Sequence, residues 1–195
     1  MKLEDQGQGE TQGETEASTR PLAALVFDDA ERANSVVEAF AAELAGRGRR
    51  VAGFIQRADM AQSCQCRETE IVNLETGESF PILQDLGRES SACRVDPGAL
   101  ARAAFEVSRA LEGAPEILFI NRFGKLELEG MGLIAEIGAA AAAGVPTLVC
   151  VPQRFLAAWR DFSGGFAEEL SCSPSALRGW WRDVSSETAQ PGSPP

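Results

Sequence analysis

Side chains that could bind a charged ligand follow several apolar segments of this 195-residue chain. Histidine is absent, which excludes Ser-His-Asp and Cys-His nucleophiles and every His-ligated metal site. Tyrosine is absent as well, so general acid–base chemistry is left to aspartate, glutamate, lysine and cysteine. The candidate ligand-binding residues are Asp28, Asp29, Arg57, Gln84, Arg94, Asn121, Gly124, Lys125, Glu127 and Arg154.

The first apolar segment, Leu22–Phe27, ends where a phosphate-binding loop would be expected. Such a loop directs the backbone N–H groups of a glycine-rich turn at phosphates, and its lysine reaches the outer ones. The turn FDDAERANS contains neither glycine nor lysine, and Asp28 and Asp29 would repel a triphosphate unless a cation intervened. Two interpretations stay open: the aspartates cap the following helix, or they contact a cation or a donor-rich ligand.

The third apolar segment ends in ILFINRFGKLELEG. Nucleotide hydrolases usually carry an aspartate that holds magnesium and a glutamate that orients water at this place. Asn121 and Arg122 replace both, which argues against hydrolysis. Lys125 follows Gly124 in a turn at the same edge, where its charge could meet an anion.

Two further cations follow predicted strands, Arg57 after the second and Arg154 after the fourth. In open α/β sheets, ligands bind outside the carboxyl ends of the strands. Each cation taken alone could be a solvated loop charge. Because Arg57, Lys125 and Arg154 occur at three predicted strand ends, we expect them to converge on one small anion site.

The five cysteines are odd in number and irregularly spaced, which does not suggest a disulfide framework. Cys64 and Cys66 precede a predicted hairpin and Cys93 follows it, so their thiolates could bind a soft metal. Their spacing matches no common zinc pattern. Buried or incidental thiols are the alternative, and Cys150, inside an apolar strand, is expected in the core.

The hydrophobic periodicity predicts the element order β-α-β-hairpin-α-β-α-β-α. This order indicates a three-layer α/β fold with a mostly parallel sheet and an inserted β-hairpin at one edge. The predicted strands are 22–27, 51–55, 117–120 and 147–151, the hairpin lies within 67–83, and the helices cover 30–46, 97–111, 130–143, 154–162 and 174–181.

The organisation along the chain predicts an acidic disordered leader over 1–20, a single α/β domain over 21–184 and a disordered tail over 185–195. The net charge of -11 opposes binding to nucleic acid or anionic lipid. No window is apolar enough to insert into a membrane, and the leader resembles no secretory or transit signal. A cytoplasmic protein is therefore expected.

Five segments of the chain carry a family resemblance: GRRVAGFIQR, CRETEIVNLETGESFPILQDLG, CRVDPGALARA, INRFGKLELEG and AGVPTLVCVPQRFLAAWRDFSGG. Together they resemble a bacterial family known as domain of unknown function 2478. The resemblance spans about Leu22 to Trp181. Members of this family are often encoded beside molybdate-transport genes, which implies a role, and a protein partner, in molybdenum metabolism.

More distantly, the chain is similar to the THEP-type P-loop nucleoside-triphosphatases. Gly124, Lys125 and Glu127 match a GK-EL turn of that family and are implied to form the site. The chain departs from the family at Asp28 to Ser35 and at Asn121-Arg122, where the phosphate loop and the acidic pair would stand. The resemblance thus implies a P-loop-like fold with a degenerate phosphate loop.

The leading hypothesis is a protein that binds a small anion or a nucleotide, is linked to molybdate, and lacks ordinary hydrolysis. Arg57, Arg94, Lys125 and Arg154 would hold the anion, with Gln84 and Asn121 supplying hydrogen bonds. One alternative is an atypical Mg-dependent nucleoside-triphosphatase or phosphotransferase. It would use Asp28, Asp29 and Glu127 to hold magnesium and Lys125 to neutralise phosphate. Another is a metal-binding protein that uses the Cys64, Cys66 and Cys93 thiolates. These hypotheses imply either molybdate or a nucleotide with Mg as the bound ligand or cofactor.

Overall fold

The computed structural model describes residues 20–58, 69–83 and 95–188, which form one seven-stranded sheet with helices on both faces. The strands are β1 Leu22–Phe27, β2 Val51–Ala58, β3 Thr69–Asn73, β4 Ser79–Pro81, β5 Ile117–Ile120, β6 Thr147–Pro152 and β7 Glu168–Ser171. The helices are α1 Ala30–Gly46, α2 Pro97–Glu112, α3 Lys125–Leu128, α4 Ile134–Ala142, α5 Leu156–Ser163 and α6 Pro174–Thr188, and a 3₁₀ turn, Gln153–Phe155, precedes α5.

The strands lie in the order β4-β3-β2-β5-β6-β1-β7. The five strands from β2 to β7 in this order are parallel, while β3 and β4 pair antiparallel at one edge. The predicted mostly parallel sheet with an edge hairpin is confirmed. Because the five strands are parallel, their carboxyl ends meet at one edge of the sheet, where ligands of such folds bind.

The core consists of two apolar clusters, one on each face of the sheet. One cluster joins the sheet to α2, α4 and α5, and the other joins it to α1 and α6. Trp159, Trp180 and Trp181 are buried, so all three are packing residues, and Cys150 lies in the core as expected. No helix within the described ranges is long and apolar enough to cross a bilayer.

The two longest helices begin where the sequence predicts. Asp29 Oδ1 accepts hydrogen bonds from Glu31 N and Arg32 N at the start of α1. Asp96 caps α2 in the same way, and Pro97 occupies the first helical position, where its missing N–H costs nothing. These caps satisfy backbone donors that have no partner within the helix.

Some element boundaries differ from the predicted ones. Strand β7 was not predicted, because Glu168–Ser171 contains only one buried apolar residue, Leu170. The helix predicted from Gly130 begins at Ile134 and is preceded by the separate turn α3. Helix α6 runs to Thr188 rather than ending near Trp181, since Val184 packs into the core. The predicted leader, apart from Arg20, and the tail beyond Thr188 lie outside the described residues.

Candidate functional site

A cleft of about 300 Å³ opens at the carboxyl end of β5, and we call it the β5 cleft. Its walls come from β2, β3, the start of α2 and the segment that follows β5. The polar side chains that line it are Gln56, Asn121, Arg122, Lys125 and Glu127. The remaining lining residues are Phe54, Ile71, Ile82, Leu83, Val95, Leu100, Ala103, Gly124, Leu126 and Leu133.

Arg122 is half-buried in this cleft and has no ion pair with any carboxylate of the described residues. Its guanidinium carbon lies 5.6 Å from the centre of the Phe27 ring, a cation–π contact, and its Nε is buried without a hydrogen-bond acceptor in the described part of the chain. Burial lowers the pKa of Arg122, and the charge of Arg154 lowers that pKa further, against an opposing effect of Cys150. An arginine remains protonated despite such a shift, so a positive charge that no described carboxylate compensates lies at the end of β5.

Asn121 is buried beside it, with 5% of its surface exposed. Its Nδ2 donates a hydrogen bond to Asn34 Oδ1 on α1, at 2.9 Å. Its Oδ1 is buried and accepts no hydrogen bond from the described residues. The end of β5 therefore carries an acceptor and, one residue later, a donor that no described residue pairs, and both residues line the same cleft.

Glu127 holds the segment after β5 in place. Its Oε2 accepts a hydrogen bond from Gly124 N at 2.8 Å, and its Oε1 accepts one from Leu133 N at 3.1 Å. Gly132 makes room for this carboxylate, because a Cβ there would lie 2.0 Å from Glu127 Oε1. Both carboxylate oxygens are thus engaged by the backbone, and Glu127 positions the rim of the cleft.

Lys125 lies on that rim with 76% of its side chain exposed. Its Nζ is 3.8 Å from Glu129 Oε1, a solvated contact of little strength. The ammonium group is therefore available to a ligand in the cleft, and the structure brings Asn121, Gly124, Lys125 and Glu127 together as lining residues of one site.

The connection between β1 and α1 consists of two residues, Asp28 and Asp29. Asp29 caps the helix with its own carboxylate, so the N–H groups that would face a phosphate already have an anionic partner. Both aspartates line a second cleft of about 430 Å³, together with Arg32 and Cys172 among others. Asp29 therefore caps the helix, as one of the two interpretations expected. Neither aspartate lines the β5 cleft.

Arg57 and Arg154 do not line the β5 cleft. Arg57 is exposed and forms an ion pair with Glu38 of α1. Arg154 stacks over Phe155, with its guanidinium carbon 4.7 Å from the ring centre, and contributes positive potential at Arg122. Of the three cations expected to converge, Lys125 lines the cleft. Arg154 lies outside the cleft and affects Arg122 through its charge.

Several predicted site residues lie outside the described residues. They are Gln84, Arg94, Cys64, Cys66 and Cys93. Within the described ranges, no three histidine, cysteine, aspartate and glutamate side chains are grouped closely enough to hold a metal ion. The carboxylates proposed for magnesium are divided between two clefts, with Asp28 and Asp29 in one and Glu127 in the other.

Arg122 and Gln56 are not among the ligand-binding residues expected from the sequence. Arg122 stands directly after a strand, in the position where a ligand-binding residue is expected, and that signal could have identified it. Its importance comes from half-burial without a carboxylate partner in the described part of the chain. Such a lack of compensation depends on tertiary packing and has no local sequence signature.

Two comparisons place the chain among known proteins. It is 34% identical over 166 residues to a protein of Bradyrhizobium diazoefficiens named molybdenum import ATP-binding protein ModC 2. That match covers 85% of this chain but only 18% of the relative. The solution structure of a human cancer-related nucleoside triphosphatase has the same fold, with a TM-score of 0.58 at 15% identity over 86% of this chain and 97% of that one.

The fold is therefore that of a P-loop nucleoside-triphosphatase-like α/β protein, as predicted. The family resemblance found in the sequence is confirmed as well. The sequence model of the family described as protein of unknown function (DUF2478) matches residues 22–180, and the chain belongs to that family.

Proposed function

We propose that this chain binds a small oxyanion or a nucleotide-like anion in the β5 cleft and does not hydrolyse nucleoside triphosphates. The observation that carries the proposal is the half-buried Arg122, which has no carboxylate partner among the described residues. Removing a cation from water is unfavourable unless an anion compensates it. Since the described residues leave this charge uncompensated beside a cleft, a bound anion is the partner that suits it.

The surroundings of Arg122 support an anion of small size. Lys125 offers a second, mobile charge at the rim, and Arg154 adds positive potential from outside the cleft. The chain as a whole carries a net charge of -11, which would repel a long polyanion. A local cationic site within an acidic protein favours one compact anionic group.

The absence of hydrolysis is supported by the β1–α1 connection. Asp29 occupies the helix end where phosphates would bind. Both carboxylate oxygens of Glu127 already accept hydrogen bonds from backbone N–H groups. Asn121 is a neutral amide where nucleotide hydrolases usually carry an acid, so neither Asn121 nor Arg122 offers a carboxylate to magnesium.

A link to molybdenum is supported by the name of the relative from Bradyrhizobium diazoefficiens, a molybdenum import ATP-binding protein. The similar region is 18% of that longer protein. We propose that the present chain acts with a protein partner in molybdenum metabolism, and that molybdate is one candidate ligand.

Calorimetric titration and thermal unfolding with molybdate, tungstate and ATP test this function. Binding to the wild-type chain should raise its melting temperature, and Arg122→Gln should remove that rise. Arg109→Gln is the matched control, because Arg109 is exposed and already paired with Glu106. If no anion at millimolar concentration changes the melting temperature, the anion-binding proposal is wrong.

Phosphate release from ATP with Mg tests the absence of hydrolysis separately. We expect none above the background without protein. Release that requires Mg and disappears in both Lys125→Ala and Asp28→Ala would support the phosphatase or phosphotransferase alternative instead.

A further inference from the structure

We infer that the β5 cleft takes an organic phosphate with a planar ring, a mononucleotide-like ligand, rather than a bare tetrahedral oxyanion. This inference rests on the proposed anion-binding function and names the class of ligand for the same site. Two independent observations carry it: the apolar walls of the cleft and the unused acceptor on Asn121.

The cleft is larger and more apolar than an oxyanion requires. Four oxygen atoms occupy the volume of four water molecules, about 120 Å³ at ~30 Å³ each, whereas the cleft measures about 300 Å³. Most of the remaining wall is hydrocarbon, including Phe54, Ile71 and Leu100. A hydrated oxyanion gains nothing from such a surface, while a planar ring buries apolar area against it.

The polar groups of the cleft come from two elements. Arg122 and Lys125 belong to the segment after β5, and Gln56 belongs to β2, which pairs with β5. We call the apolar lining residues of β2, β3 and α2 the ring-facing wall. A phosphate held by the two cations would leave the ring beside the β2 and α2 walls. The Gln56 amide carries both donors and an acceptor, so it could bond the edge of a heterocycle.

Asn121 adds a requirement that a bare oxyanion does not meet. Its buried Oδ1 has no donor among the described residues, and a buried acceptor left unpaired is unfavourable. A fully ionised oxyanion contains only acceptors. A sugar phosphate carries hydroxyl donors next to its phosphate, so it can satisfy Asn121 and Arg122 together.

The site therefore lies at the carboxyl end of β5, with walls from β2, β3 and α2. The phosphate would contact Arg122 and Lys125, a hydroxyl would donate to Asn121 Oδ1, and the ring would pack against Phe54 and Leu100. All of these contacts are noncovalent.

A series of ligands tests separately whether the phosphate, the sugar and the ring contribute to binding. Calorimetry compares molybdate, ribose 5-phosphate, adenosine 5′-monophosphate and guanosine 5′-monophosphate on the wild-type chain. We expect at least one mononucleotide to bind about tenfold or more tightly than ribose 5-phosphate, and molybdate to bind more weakly than either. Arg122→Gln should weaken the binding of every phosphate in the series.

Leu100→Trp fills the ring-facing wall and tests the position of the ring. It should remove the advantage of the mononucleotide over ribose 5-phosphate. Leu128→Trp is the matched control, because Leu128 is exposed and does not line the cleft. Thermal unfolding of both variants, followed by circular dichroism, shows whether they are folded.

The failures are distinguishable. If ribose 5-phosphate or molybdate binds as tightly as both mononucleotides, or if Leu100→Trp leaves the mononucleotide advantage intact, the inference is wrong while the anion-binding function stands. If no member of the series binds, the proposed function fails with it.

Discussion

Asn121 Nδ2 donates a hydrogen bond to Asn34 Oδ1 over 2.9 Å and so joins the end of β5 to the first half of α1. The bond fixes the orientation of a buried amide whose other end lies unpaired within the described structure. Because Arg122 follows immediately in the chain, the same bond helps to hold the half-buried guanidinium at the cleft. The site thus depends on a contact between the end of β5 and α1 that neither segment predicts alone.

Asn34→Ala should destabilise the protein by about 2 kcal/mol, because it leaves the buried Asn121 Nδ2 without an acceptor. Urea unfolding followed by circular dichroism measures the change. Ser35→Ala, one residue later and exposed, should stay within about 0.5 kcal/mol of the wild type. Equal stability of Asn34→Ala and wild type would show that Asn121 finds another partner.

Arg122→Met should stabilise the protein without ligand by about 1 kcal/mol, since it removes an uncompensated cation and keeps the apolar stem near Phe27. A change of this size raises the melting temperature by about 2–4 °C in a chain of this length. Differential scanning calorimetry measures it, and Arg109→Met serves as the control at an exposed, paired arginine. A lower melting temperature for Arg122→Met than for Arg109→Met would contradict the account of an uncompensated charge.

Glu127→Ala should destabilise the protein by about 2 kcal/mol, because the backbone N–H groups of Gly124 and Leu133 lose a charged acceptor. Ligand affinity should fall as well, since the rim that carries Lys125 is no longer held. Chemical unfolding and calorimetric titration measure the two effects. Glu129→Ala, which changes only a long contact with Lys125, should leave both unchanged.

The pKa of Glu116 lies below its ordinary value, first because Arg50 N donates to its carboxylate and then because the Arg49 guanidinium does. A carboxyl group with a depressed folded-state pKa stabilises the fold above its unfolded pKa, and that contribution is lost as the pH falls through the folded value. The difference in free energy of unfolding between wild type and Glu116→Gln should therefore be largest near pH 7 and shrink toward pH 3. A difference independent of pH would show that the carboxylate charge contributes nothing.

The sequence predicts the elements whose signals are local. Leu22–Phe27 and Ile117–Ile120 are continuous apolar runs, and each is a strand with those bounds. Strand β7 has too few buried residues to show such a pattern, because it lies at the edge of the sheet beside β1. Propensity and periodicity therefore identify central strands far better than edge strands.

The candidate site is less predictable for a related reason. Rules on strand ends pointed to Asn121 and Lys125, and both line the β5 cleft. The same rules pointed to Arg57, which instead forms an ion pair with Glu38 of α1. Whether a charge at a strand end meets a ligand or a carboxylate depends on neighbours brought from distant parts of the chain.

Crystals of the protein soaked with molybdate and, separately, with adenosine 5′-monophosphate would show whether the β5 cleft binds an anion. We expect ligand density in the β5 cleft, with an anionic oxygen within hydrogen-bond distance of the Arg122 guanidinium. Density beside Asp28 and Asp29 at the β1–α1 connection, with an empty β5 cleft, would contradict it.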